Sequence, residues 1–135
     1  MAFVRMNGGS NNFKLLCSGD SNQLYTGNQV LNNKFLGTEV PNYASGNNTS
    51  ELTFIKKCTL KIFIGTGRVF YSGDTSSITI KKNNVSIETL SYTDAPNWIS
   101  KSVDLEMDIG DKLKIVTQGT STGYDIHVWC IYVKL

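Results

Sequence analysis

The sequence predicts an all-β protein, an antiparallel β-sandwich in one domain spanning residues 1–135. Three observations carry this. Apolar and polar residues alternate with a period of two through much of the second half, the pattern of strands with one wet face. Thirteen asparagines and 12 glycines supply the turn chemistry that many short strands need. No apolar stripe of helical period runs longer than two turns. A chain of 135 residues buries about two thirds of its unfolded surface, enough for a core of its own.

The first 50 residues are the less regular part, with short strands at Phe3-Val4, Phe13 to Cys17 and Val30 to Leu36, then a polar loop over 43–51. Between Glu51 and Ile64 the even positions Leu52, Phe54, Cys58, Leu60, Ile62 and Ile64 form an apolar row, interrupted by Lys56. This reads as one long bent strand or as two strands broken near Lys56-Lys57. A hairpin follows: Ile78 and Ile80 share a face, Asn83-Asn84 turns the chain, and Val85 and Ile87 return. Asparagine suits that turn because it tolerates left-handed backbone angles at little cost. From 101 to 109 the odd positions Val103, Leu105, Met107 and Ile109 are apolar and the even ones polar. Gly110-Asp111 turns into a further strand carrying Leu113 and Ile115. The last stretch, 124 to 135, is apolar on both faces, which places it centrally and covered twice, by the sandwich and by a loop or a neighbouring subunit.

Composition excludes several classes. A net charge of +2 with scattered lysines does not argue for nucleic acid, and no segment approaches the length of an apolar membrane helix. No secretory leader is evident at the start, so the chain is expected to be made in a reducing cytoplasm. The three cysteines, Cys17, Cys58 and Cys130, are odd in number and share no short spacing, so free buried thiols are expected rather than disulfides or zinc.

Four features look like chemistry. The acidic stretch Asp104, Glu106, Asp108, Asp111 fails the calcium-loop pattern, because its glycine is out of place and position twelve is Ile115. Alternation spaces those carboxylates about 7 Å apart on one strand face, with Lys112 and Lys114 expected to neutralise them across the ladder. His127 is the only histidine, with Asp125 two residues away, but no sequence context places a nucleophile beside it. The run "GTGR" (65 to 68) lacks the rest of a phosphate loop and reads as a β-turn. Tyr92, Asn97, Trp98 and Tyr124, with Asp94, sit in or beside loops. Flat aromatics beside amide and carboxylate groups suit either a sugar or a protein partner, whereas a plain anchoring role would bury Trp98 at the end of the core. These four residues are the candidate ligand- or partner-binding set. No catalytic residue, metal ligand or cofactor is predicted.

The stretches "SITIKKNNVSIETL" (77 to 90), "SKSVDLEMDIGDKLKIVTQGT" (100 to 120) and "IHVWCIYVKL" (126 to 135) resemble the second half of a jelly roll. The type is that of tumour-necrosis-factor and complement globular heads, and similar modules occur in bacteriophage virion proteins. The matching steps are Lys82-Asn83-Asn84 and Ile109-Gly110-Asp111-Lys112-Leu113, under half the chain; the first half does not match strand by strand. The resemblance implies a jelly-roll sandwich that assembles as a homotrimer around an apolar axis. It further implies a non-enzymatic bacteriophage virion structural protein, a capsid decoration, head fibre or tail-tip module, made in the host bacterial cytoplasm. Its expected partners are other virion proteins and, through its loops, host-surface carbohydrate, with no nucleic acid and no membrane. The alternative from another class is a carbohydrate-binding module or lectin, with calcium as an aid.

Overall fold

The computed structural model describes residues 12–25, 29–68, 76–92, 97–119 and 123–135, and the side chains of these except at 21–25, 29, 68, 92, 97 and 123–125. The strands in chain order are β1 (Phe13–Tyr25), β2 (Gln29–Asn32), β3 (Ala44–Ser45), β4 (Leu52–Phe54), β5 (Cys58–Arg68), β6 (Ser76–Lys82), β7 (Val85–Tyr92), β8 (Asn97–Met107), β9 (Lys112–Gly119) and β10 (Gly123–Lys134), with one helical turn, α1 (Val40–Tyr43), before β3. They build two antiparallel sheets. The first runs β1-β10-β5-β8; the second runs β3-β4-β9-β6-β7, with β2 also pairing β9. The chain changes sheet between β1 and β2, β4 and β5, β5 and β6, β7 and β8, β8 and β9, and β9 and β10, which is the winding of a jelly-roll sandwich.

Alternation decides which side chains meet between the sheets. Leu60, Ile62 and Ile64 of β5 face inward with Trp129, Ile131 and Val133 of β10 beside them in register, and Ile78, Ile80, Leu113 and Ile115 close over them from the second sheet. Each such side chain contributes roughly 1.5–3 kcal/mol through removal from water, so this row sets the fold. The two-sided reading of the last strand holds: Val128, Cys130 and Tyr132, on the opposite face of β10, are buried as well.

Several boundaries differ from expectation. The row from Glu51 to Ile64, by contrast, follows one of its two expected readings: it is two strands, β4 and β5, broken at 55–57. Strand structure after Val30 ends at Asn32, and Phe35 instead makes a single bridge to Thr49. Met107 is the last residue of β8, so Ile109 does not continue the inward row. It sits in the turn, 73% exposed, because Gly110 N–H donates to Phe54 O and Asp111 N–H to Asp108 O, which bends the chain away from the core. Ile87 is exposed because the register shift between Ile80 and Lys81 leaves it as the extra residue of β7, and Val85, opposite Lys82 at the hairpin end, is 62% exposed. Asn83 and Asn84 adopt φ 53° and 64°, the left-handed angles expected of the hairpin turn. Phe3-Val4 lies outside the described residues.

The inter-sheet space changes character along its length. At one end it holds Phe54, Leu60, Met107 and Leu113; toward the other it holds Thr66, Ser76, Thr117 and His127, all fully buried. That polar end is where β5, β7 and β9 finish and β6, β8 and β10 begin, so it is the end at which the candidate binding residues converge.

Candidate functional site

The acidic stretch is an architectural corner. Asp111 accepts the Asp108 backbone N–H at 2.7 Å and the Asn83 side-chain amide at 3.1 Å, with the Lys82 ammonium at 3.4 Å. The Asp108 hydrogen bond, then that from Asn83, holds the Asp111 carboxyl below the usual carboxylate range. Asn83 returns the tie by accepting the Lys112 N–H at 2.9 Å. The β6–β7 hairpin is thereby pinned to the β8–β9 turn. Asp104 is neutralised by Lys61 at 2.8 Å, not by Lys112 or Lys114. The expected partners fail because β8 and β9 lie in different sheets, so sequence neighbours across the turn are not ladder neighbours. Among the described residues no group of three or more His, Cys, Asp and Glu is placed to hold a metal ion.

His127 has a partner that sequence reasoning missed. Its Nε2 lies 3.1 Å from Ser76 Oγ, which lies 2.7 Å from Thr66 Oγ1. Three strands from two sheets meet in this relay. A serine beside an imidazole nitrogen is the geometry of an activated nucleophile, but Ser76, Thr66 and His127 are all fully buried, so no substrate reaches the hydroxyl. The relay ties β6 to β5 and β10. The signal that would find it is absent locally: Ser76 and His127 are 51 residues apart. The side chain of Asp125 is outside the described set.

Three of the candidate residues, Tyr92, Asn97 and Tyr124, are placed by their backbones only. Tyr92 ends β7 opposite Ser76, Asn97 opens β8 opposite Arg68, and Tyr124 lies near the start of β10 opposite Leu24. All belong to the polar end of the sandwich; Asp94 is outside the described residues. The fourth, Trp98, is fully visible. It is 38% exposed and sits on the outer face of the first sheet, opposite Gly67, so it does not anchor the core end. Its six-membered ring lies on Gly65, where an added Cβ would overlap Trp98 Cζ2. This corrects the reading of "GTGR": residues 65 to 68 are strand, and Gly65 is there because only a glycine lets an indole lie flat against the sheet.

Beside Trp98 the outer face of the first sheet carries an aromatic and apolar group on β5 and β10. Phe63 meets Tyr132 edge to face with ring centroids 5.9 Å apart, and Val128 and Cys130 lie beside them on β10. Leu15, 45% exposed, stands opposite Tyr132, and the Lys61 ammonium lies 5.7 Å from the Phe13 ring. All three cysteines are free. Burial, then the neighbouring Cys130, pushes the Cys17 thiol up to about 12, and burial raises that of Cys130, so these two are packing groups; Cys58, expected buried, is only half-buried, and burial raises its thiol as well.

No protein-family model matches the chain, and no curated protein matches it. Solved structures do resemble it in shape. GITRL from pika aligns at 16% identity with a TM-score of 0.40, covering 62% of this chain and 71% of that one. A family 35 carbohydrate-binding module from Clostridium thermocellum aligns at 8% identity and TM-score 0.40, covering 88% and 96%. Dimeric latent PorU from Porphyromonas gingivalis aligns at 9% identity and TM-score 0.44; the match covers 94% of this chain but 14% of PorU. At TM-scores this low the likenesses carry no argument about function.

Proposed function

We propose that the chain is a non-enzymatic structural and attachment module of a bacteriophage virion, self-associating as a homotrimer through the outer face of the β1-β10-β5-β8 sheet. One observation carries the self-association: on the outer face of this sheet Leu15 is 45% exposed, beside an apolar row of Phe63, Val128, Cys130 and Tyr132 of which the last three are already buried by the chain itself. An exposed apolar side chain at the edge of such a row suits a covering surface from a second copy. Support for the virion setting is the jelly-roll resemblance of residues 77 to 135. The polar end, with Tyr92, Asn97, Trp98 and Tyr124, then presents the attachment loops.

Sedimentation at micromolar concentration tests the assembly. The wild-type chain is expected to be a trimer, and Leu15→Glu, a change at an exposed position that spares the core, is expected to be a monomer. A monomeric wild-type protein, or a Leu15→Glu protein that assembles normally, would refute it. Flanking capsid or tail genes test the virion setting.

A second reading, a carbohydrate-binding module, is favoured by one observation: the indole of Trp98 packs on Gly65 and is 38% exposed. Such a ring suits stacking against sugar C–H groups. A glycan array run with and without calcium decides it; an array without hits removes this reading.

A further inference from the structure

The two outer faces of the sandwich differ in charge chemistry. The first sheet mixes Asp20, Asp104 and Glu106 with Lys61 and Lys134 among its aromatics, whereas the second shows Lys81, Lys112 and Lys114. Lys81 on β6 and Lys114 on β9 are directly opposite one another in the ladder, on the face away from Ile80 and Ile115. Their Cβ atoms are therefore about 5 Å apart, and like charges so placed destabilise a sheet. Lys112 stands two residues along β9, about 7 Å away on the same face.

Compensation is thin. Glu51 is the one carboxylate that reaches this group among the described residues, at 3.5 Å from Lys114 and 4.0 Å from Lys112. Lys81 makes no ion pair with any described residue. Lys112 and Lys114 thus share one carboxylate, Lys114 also donates to Asn84 Oδ1 at 3.1 Å, and Lys81 is left without a carboxylate partner among the described residues. The next step of the ladder is hydroxylic, with Thr79 Oγ1 and Thr89 Oγ1 3.0 Å apart on the exposed face. The lysine ladder carries no aromatic side chain, so a base-stacking platform for single-stranded nucleic acid is missing from it. Ammonium groups beside hydroxyls match a polymer that alternates acidic groups with sugar hydroxyls.

We infer that the outer face of β6 and β9 is a docking surface for an acidic polysaccharide, held by Lys81, Lys114 and Lys112. The like-charge pair, unfavourable in the free protein, is relieved when a carboxylate or sulfate group lies between the two amines. This surface is on the opposite sheet from the proposed assembly face and stands or falls independently of it.

Binding of the full chain to immobilised heparin, polygalacturonate, dextran and duplex DNA tests the inference. The two acidic polysaccharides are expected to bind, with affinity falling as salt is raised, and neutral dextran is expected not to bind. Lys81→Gln/Lys114→Gln is expected to weaken that binding by about tenfold or more, while its thermal midpoint stays level or rises because repulsion has been removed. Lys134→Gln, on the other sheet, is expected to bind like wild type. Absence of binding to both acidic polymers, equal binding of dextran, duplex DNA binding as tightly as the polysaccharides, or an equal loss in Lys134→Gln would each overturn it.

Discussion

Replacing Ser76 with alanine removes the hydroxyl that Thr66 Oγ1 and His127 Nε2 share, at 2.7 and 3.1 Å, inside a region closed to water. Depriving a buried polar atom of a hydrogen-bond partner costs about 1–3 kcal/mol, and two atoms are affected, so a loss of about 3 kcal/mol is a conservative figure. For 135 residues at about 2.1 cal/mol/K each, the unfolding entropy is about 0.28 kcal/mol/K. The melting midpoint should therefore fall by about 10 °C. Thr66→Val is the comparator. It deletes one hydroxyl, keeps the shape and leaves the Ser76–His127 contact intact, so it should cost about 1 kcal/mol, or about 4 °C. Thermal unfolding followed by circular dichroism at neutral pH and fixed protein concentration measures both, since self-association makes the midpoint concentration-dependent. If Ser76→Ala melted with wild type, or were milder than Thr66→Val, the relay would not be a tie between the sheets. A variant that kept its midpoint while losing a hydrolytic activity would instead point to the nucleophile geometry.

Two further outcomes follow from the same structure. Gly19 and Gly65 each lie under an indole, Trp129 and Trp98 respectively, with no room for a Cβ. Trp129 is buried in the core and Trp98 is partly exposed, so Gly65→Ala is expected to shift Trp98 outward, redden the tryptophan emission and cost less stability than Gly19→Ala; equal midpoints for the two variants would contradict this. Asp111 has a carboxyl held below its ordinary value of 3.8, so it contributes stability above that pH and loses it as pH falls through the lower, folded-state value. The melting midpoint of Asp111→Asn is accordingly expected to fall less steeply than that of wild type on acidification below about pH 4, and parallel curves would count against the corner as described.

How much was legible in the sequence differs by element. The alternation of Leu60, Ile62, Ile64 and of Leu113, Ile115 identified core faces because a strand's side chains alternate whatever lies beside them. The two-sided apolar run at 126–133 identified a central strand for the same reason, and Asn83-Asn84 identified its turn because few residues tolerate those backbone angles. Such properties are local. Ile109 and Ile87 were misplaced where locality ended. One was drawn into a turn by a hydrogen bond from Gly110 to Phe54, the other displaced by a slip in register with β6.

The candidate site divides along the same line. Trp98 was visible as an aromatic near a loop, but its seat on Gly65 was not, because the two residues are joined only through the pairing of β5 with β8. Ser76 beside His127 was invisible for the same reason, as was the assignment of Lys61 rather than Lys112 or Lys114 to Asp104. The opposition of Lys81 and Lys114 likewise needed the β6–β9 register. By itself, then, the sequence determined the class, the strands and which residues face inward, since these depend on a period of two and on turn propensities. Only the tertiary structure decided which strands are neighbours and in what register, because pairing partners far apart in the chain are selected by how the buried rows fit together. The relay, the indole seat and the lysine pair all depend on that choice.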